Sequence, residues 1–200
     1  MYAGHKVVGL VGSYRKNGII DSVVTEILAE AEQQGAATKK IYLQDQHIEF
    51  CTNCRLCLQE PGEERGHCIL KDDMENVLNE IESADALVIG APVNFGNINA
   101  LTRQFLERCV VYGYWPWDAA TPKPRNPKMR KKAVLVSSSA APAWMGRFLT
   151  GALGALKDLA KMLGAKTIGI IWVGLVNSKE VKLSEKIKQQ AKRLGRALVI

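Results

Sequence analysis

The stretch Lys6–Gly18 constrains this chain most. An apolar run, Val7, Val8, Gly9, Leu10 and Val11, breaks abruptly into Gly12-Ser13-Tyr14-Arg15-Lys16-Asn17-Gly18. The run reads as a short buried strand, and the Gly, Ser and Asn after it read as a tight loop. Asp21 or Ser22 can then N-cap a helix whose apolar face is Val23, Val24, Ile27, Leu28 and Ala31. A loop that feeds a helix N-terminus offers free backbone N–H groups and the positive end of a dipole, a setting that suits phosphate. Arg15 and Lys16 add positive charge, Ser13 a hydroxyl donor, and Gly12 and Gly18 let the backbone approach closely. The competing reading is an ordinary strand-to-helix turn with solvated basic residues.

The loop has no G-x-G-x-x-G, and no Gly-Lys-Ser/Thr closes it, so it is neither a dinucleotide fingerprint nor a P-loop. A mononucleotide loop of the kind used by flavodoxin-like proteins is the third option. The rest of the chain repeats the strand–helix alternation. Gly35 stops the first helix, and Thr38–Tyr42 offers a second strand. Asp72 and Asp73 stand where an N-cap and a first-turn acid belong, ahead of a helix with Met74, Val77, Leu78 and Ile81 inward. Ala86–Gly90 is a third strand, ending in a loop from Ala91 to Asn97. A helix from Asn99 to Val111 follows, with Leu101, Phe105 and Leu106 at core spacing. Ala133–Val136 is a fourth strand closed by Ser137-Ser138-Ser139. Phe148–Leu163 reads as a helix, Thr167–Val173 as a fifth strand, and the tail from Leu183 as a last helix.

Strands joined by helical crossovers predict an α/β fold with a parallel sheet covered on both faces. In such sheets ligands bind beyond the carboxyl ends of the strands, which brings forward the loops Gly12–Gly18, Pro92–Asn97 and Ser137–Gly146. Two hundred residues suffice for one domain over 1–200, with a cysteine-rich loop at 51–68 and an aromatic, Pro-rich excursion at 112–127. No run of about eighteen apolar residues exists and no charged-then-apolar leader opens the chain, so the expectation is a cytoplasmic protein with no membrane span. The net charge of +7 is concentrated at Lys123–Lys132 and Lys179–Arg196 and favours anionic small molecules. A nucleic-acid partner is not expected, because no base-reading motif accompanies the basic residues.

Gly12-Ser13-x-Arg15-x-x-Gly18, a Cys-x-x-Cys-x-x-Cys cluster running into Asp72-Asp73-Met74, and Pro92-Val93-x-Phe95-Gly96 ahead of Phe105-Leu106-Glu107-Arg108 together resemble the NADPH-dependent FMN reductase family, with the iron-sulfur flavoproteins as its cysteine-bearing relatives. The resemblance spans roughly residues 6 to 176. It implies a flavodoxin-like three-layer sandwich with a five-stranded parallel sheet, bound FMN, NAD(P)H as reductant and a small-molecule acceptor such as a quinone, flavin, metal ion or nitro or azo compound. Ser13, Arg15 and Gly18 would hold the FMN phosphate, with Gly12, Asn17 and Ser22 contributing to the cradle. Pro92, Val93, Asn94, Phe95, Gly96 and Asn97 would line the ring and ribityl chain, and Ser137, Ser138 and Ser139 would close the pyrimidine side. Ile19 and Ile20 depart from an amide and a hydroxyl usual on the phosphate, and Asn94 from a usual aromatic. No catalytic acid or base is expected, since the chemistry is flavin-borne. The resemblance also implies a homodimer or homotetramer.

The cysteines admit three readings. Cys51, Cys54 and Cys57 lie at two-residue gaps, and Cys68 follows after a gap of ten. Such spacing suits a [4Fe–4S] cluster, a zinc held by three Cys with His67 or Cys68, or free thiols. Two functional alternatives follow: an electron carrier built on a cluster, or a binding module that has lost FMN. Cys109 reads as a core thiol. The aromatic run Tyr112–Trp117 suits packing or a subunit interface, and Trp144 and Met145 suit either a cover over the ring or a core role.

Overall fold

In the computed structural model of the chain, residues 4–125, 128–178 and 180–200 are described. Pro127, expected in the excursion, and Lys179, expected to open the second basic stretch, lie outside the described residues. The elements run β1 (Lys6–Val11), α1 (Ile19–Gln33), β2 (Ala37–Tyr42), α2 (Met74–Glu82), β3 (Ala86–Asn94), β4 (Asn97–Ile98), α3 (Ala100–Arg108), β5 (Gly113–Tyr114), β6 (Lys123–Pro124), β7 (Lys131–Ser138), α4 (Ala143–Phe148), α5 (Ala152–Met162), β8 (Ala165–Val173) and α6 (Glu185–Val199).

Five strands pair in parallel in the order β2-β1-β3-β7-β8. The order reverses direction at β1 and β3, so a crevice opens there at the carboxyl edge. The central strands are buried on both faces, as their continuous apolar runs require. β2 is an edge strand and carries Lys39 and Lys40, with only Ile41 fully buried. On one face Val23, Val24 and Ile27 of α1 and Leu194 and Leu198 of α6 form one apolar layer with Val7, Val88 and Val134. On the other, Val77 and Ile81 of α2, Phe105 of α3 and Leu156 and Leu159 of α5 pack with Leu10, Ile89 and Leu135. The three-layer sandwich is as expected.

Several boundaries differ from the sequence reading, each for a local reason. α1 starts at Ile19 with Gly18 at the N-cap and no side-chain cap, so Asp21 and Ser22 lie inside its first turn. Asp73 does occupy the N-cap of α2, but its carboxylate accepts the His47 N–H at 2.7 Å, and Asp72 accepts the Met74 N–H at 3.0 Å. β3 continues through Pro92 because β7 pairs alongside it as far as Ser138, and on to Asn94 because β4 folds back onto it. The helix expected over Phe148–Leu163 starts only at Ala152, as α5; Phe148 instead ends a separate short helix, α4, which the sequence reading did not include, and between the two the Gly151 N–H donates to the Gly96 carbonyl at 2.8 Å. The helix expected to reach Val111 ends at Arg108 and tightens into a 3₁₀ turn, Cys109–Tyr112.

The cysteine-rich loop and the aromatic excursion clasp each other. β5 and β6 form a two-residue antiparallel ribbon. The Trp115 N–H donates to Leu58 O at 2.9 Å, the Gly66 N–H to Val111 O at 2.8 Å, and the buried Arg125 Nη2 to Cys57 O at 3.0 Å. The Arg55 guanidinium lies 3.9 Å from the Trp115 ring centre and 4.3 Å from that of Trp117. Packing onto this loop, one of the two readings of the aromatic run, accounts for Trp115.

Candidate functional site

The floor of the site is a buried polar knot between β1 and α3. The Gly12 carbonyl accepts from Asn99 Nδ2 at 2.8 Å and Thr102 Oγ1 at 3.1 Å, while the Gly12 N–H donates to Gly90 O at 2.7 Å. A Cβ on Gly12 would stand 2.1 Å from Thr102 Oγ1, so only glycine permits this approach. Above the knot the loop folds back on itself. Ser13 Oγ accepts the Arg15 N–H at 3.1 Å, the Gly18 N–H donates to Arg15 O at 3.2 Å, and Asn17 takes a left-handed φ of 59°. The first intrahelical bond of α1 runs from the Ser22 N–H to Gly18 O at 2.9 Å. The N–H groups of Ile19, Ile20 and Asp21 therefore stand ahead of it, at an uncapped helix end.

Asp21 is the charged residue that sequence reasoning misassigned. Its side chain is 2% exposed. The carboxylate accepts the Asn17 N–H at 2.6 Å, Lys40 Nζ at 2.8 Å and the Tyr42 hydroxyl at 3.0 Å. Burial works to raise its pKa, and the Lys40, Asn17 and Tyr42 bonds outweigh burial and hold it below the usual carboxylate value. Lys16 turns away onto Asp45 at 2.7 Å.

A cleft of about 350 Å³ opens over this loop, a size in the range of small-molecule sites. Of the residues expected from the sequence, Ser13, Arg15, Gly18, Pro92, Val93, Asn94, Ser138 and Ser139 line it. Gly12 lies beneath it. Asn17 and Ser22 shape the loop and helix from behind, and Phe95, Gly96 and Asn97 form the adjoining β3–β4 turn, with Phe95 fully exposed at φ 47°. The Ser137 hydroxyl donates to Ala91 O at 2.8 Å inside the sheet. The Ser139 hydroxyl donates to Ala141 O and accepts from Trp172 Nε1, both at 3.0 Å. Among the described residues nothing binds the Ser138 hydroxyl, so of the three serines it has the uncommitted donor. Tyr14, Ile19, Ile20, Ala140, Val176, Ser178 and Val181 also line the cleft. The last three follow β8, and the rule that placed the other loops at the carboxyl edge predicts that one too. Trp144 is exposed rather than part of the core.

The donor set fits a mononucleotide phosphate: an uncapped helix end, a folded-back loop, Arg15 and Ser13 face one cleft.

Cys51, Cys54, Cys57 and Cys68 line a second, much smaller cavity, walled also by Arg55 and Arg108. Positive φ at Asn53 and Arg55 lets the loop turn its thiols inward. Burial pushes the Cys57 thiol up, and repulsion from Cys68, Cys51 and Cys54 adds to this. Arg108, 2% exposed, pairs with the buried Asp72 and places Nη2 3.6 Å from Cys68 Sγ. The Nε atoms of Arg55 and Arg108 are buried without partners among the described residues. The chemistry of four thiols beside two guanidinium groups suits a thiolate-bound metal group, but the space does not. The cavity measures about 20 Å³, room for one water. Among the described residues no three His, Cys, Asp or Glu side chains are grouped closely enough to hold a metal ion. In this conformation the loop does not fit a four-iron cluster. Cys109 is fully buried in the core, as expected.

The family model of the NADPH-dependent FMN reductases matches residues 5–180. The chain belongs to the NADPH-dependent FMN reductase family. Among its curated relatives, an iron-sulfur flavoprotein of Archaeoglobus fulgidus is 32% identical over 111 residues, 56% of this chain and 48% of that protein. An iron-sulfur flavoprotein of Methanosarcina thermophila is 26% identical over 106 residues, 53% of each chain. The chain thus spans about half the length of the curated relatives it matches. Among solved structures, an NAD(P)H:quinone oxidoreductase from Methanothermobacter marburgensis superposes with a TM-score of 0.70 at 17% identity, covering 98% of this chain and 99% of that one. A flavone reductase does so with a TM-score of 0.66 at 21% identity, covering 97% of this chain and 62% of that one. At these identities the likeness is one of fold.

Proposed function

We propose that the chain is an FMN-dependent NAD(P)H oxidoreductase that passes reducing equivalents from a nicotinamide cofactor to a small acceptor. The observation that carries this reading is the convergence of the Ser13–Gly18 loop, the end of β3 and the Ser138–Ala140 loop on one cleft at the switch point. When bound, FMN supplies the redox chemistry, taking a hydride from NAD(P)H and yielding two electrons to an acceptor. The chain supplies binding and orientation. Arg15 and the α1 end neutralise phosphate charge, Ser13 donates its hydroxyl hydrogen, and Ser138 offers a donor on the opposite wall. Pro92, Val93 and Ile20 give the cleft its apolar lining, where a planar ring can displace water.

The same reading includes a homodimer or homotetramer, supported by the exposed Phe95, Trp144, Phe148 and Leu149. No helix among the described residues is long and apolar enough to cross a membrane. Five free cysteines suit a reducing compartment such as the cytoplasm.

The test is a visible spectrum of anaerobically purified protein before and after NADPH. Flavin bands that bleach on addition are expected. Protein that stays colourless after incubation with FMN overturns the proposal, and broad absorption that NADPH leaves unchanged favours an electron carrier built on the cysteines.

A further inference from the structure

Resting on that reading of the cleft, we propose that Asp21, Lys40 and Tyr42 form a charge-neutral positioning device that holds the loop Ser13–Gly18 in the shape that selects a phosphate-bearing flavin. The loop reverses at Asn17, whose φ of 59° is a conformation that side-chain-bearing residues adopt at a cost. The bond that holds this turn is the one from the Asn17 N–H to Asp21 Oδ2, at 2.6 Å. A carboxylate at that point is both useful and hazardous. It sits in the first turn of α1, the same positive helix end that faces the cleft, where an unbalanced negative charge would repel phosphate.

The edge strand β2 removes the hazard. Lys40 and Tyr42 alternate onto one face of β2. Lys40 Nζ reaches Asp21 Oδ1 at 2.8 Å, and the Tyr42 hydroxyl lies 3.0 and 3.1 Å from the two carboxylate oxygens. Lys40 also donates to Thr25 Oγ1 at 2.8 Å, and Thr25 Oγ1 donates to the Asp21 carbonyl at 2.8 Å, tying the device to the second turn of α1. The Tyr42 ring is flanked by the ammonium groups of Lys40 and Lys16, at 5.0 and 5.1 Å from its centre. Lys16 is thereby drawn behind the loop onto Asp45, and Arg15 is the loop cation that lines the cleft. Asp21 touches no ligand in this scheme. It acts through the backbone of Asn17.

The test compares binding of FMN and of riboflavin, which lacks the phosphate, by calorimetry on the full chain for wild type, Asp21→Asn, Lys40→Met and Tyr42→Phe. The expected result is FMN affinity lower by about tenfold or more in Asp21→Asn, with Lys40→Met weaker still, while riboflavin affinity stays within about twofold of wild type. Equal loss for both flavins marks a general structural role and overturns the proposal, as does unchanged FMN affinity. Tighter FMN binding in Asp21→Asn overturns it in the other direction, by showing that Asp21 competes with phosphate. Tyr42→Phe removes one donor and leaves the ring in place, so it carries the same comparison if Asp21→Asn does not fold. Wild type that binds neither flavin sinks the underlying FMN reading itself, an outcome distinct from any of these.

Discussion

At the scale of single residues, buried charge with assigned partners does the positioning. The side chains of Arg108 and Asp72 are both almost fully buried, and burial works to raise the Asp72 pKa while the Arg108 guanidinium and the Glu49 and Met74 N–H groups together outweigh it. Arg108→Met leaves that carboxylate without its cation, at a cost of about 3 to 5 kcal/mol measurable by urea unfolding. The thiols differ as sharply. Burial pushes Cys109 far up, whereas Cys51, Cys54 and Cys68 are only partly buried. Alkylation of the native protein followed by peptide mapping is expected to label those three and to spare Cys109. Arg15, Ser13 and Gly18 were legible from the sequence because their chemistry is local to one loop. The role of Asp21 was not, since a helix-start acid reads as a cap until Lys40 and Tyr42, from a different strand, arrive beside it.

Elements are held by close approaches as much as by apolar area. α6 lies on α1 through Gly195, where a Cβ would come within 2.6 Å of Ile27 O and 2.8 Å of Glu30 Cβ. Gly195→Ala is expected to cost about 1 to 3 kcal/mol in denaturant unfolding, because the contact is with backbone that cannot step aside. On the opposite face Leu156→Ala in α5, at a fully buried position, should cost about 2 to 5 kcal/mol. Strands and apolar faces were readable because period and composition act over a few residues. The break between α4 and α5 was not, since it depends on Gly151 meeting Gly96 across the fold.

For the whole molecule, stability in acid follows from its depressed carboxylates. Asp21, Glu30, Asp72 and Glu80 all have folded pKa values below their ordinary ones, and Glu80, held chiefly by Lys39 and then Lys6, is lowered to about 2. Such groups bind protons more tightly when unfolded, so their contribution is present above the ordinary carboxylate range and is lost as pH falls through the folded values. Thermal melts should therefore show Tm falling from about pH 5 down to about pH 2, steepened by the chain's net positive charge. The clasp between residues 51–68 and 112–125 has a further consequence. The Trp115 N–H bond to Leu58 and the Arg125 guanidinium bond to Cys57 lie outside the parallel sheet and join two segments that each lack regular structure of any length, and the Gly66 N–H ties the first of them to Val111, just ahead of the second. Neither half can open without releasing the other, so the pair behaves as one unit of local unfolding. Amide hydrogen exchange at Gly66 and Trp115, whose N–H groups make two of these bonds, is expected to proceed at a single shared rate, faster than that of β1 or β3, and a protease that reaches one segment should cut both.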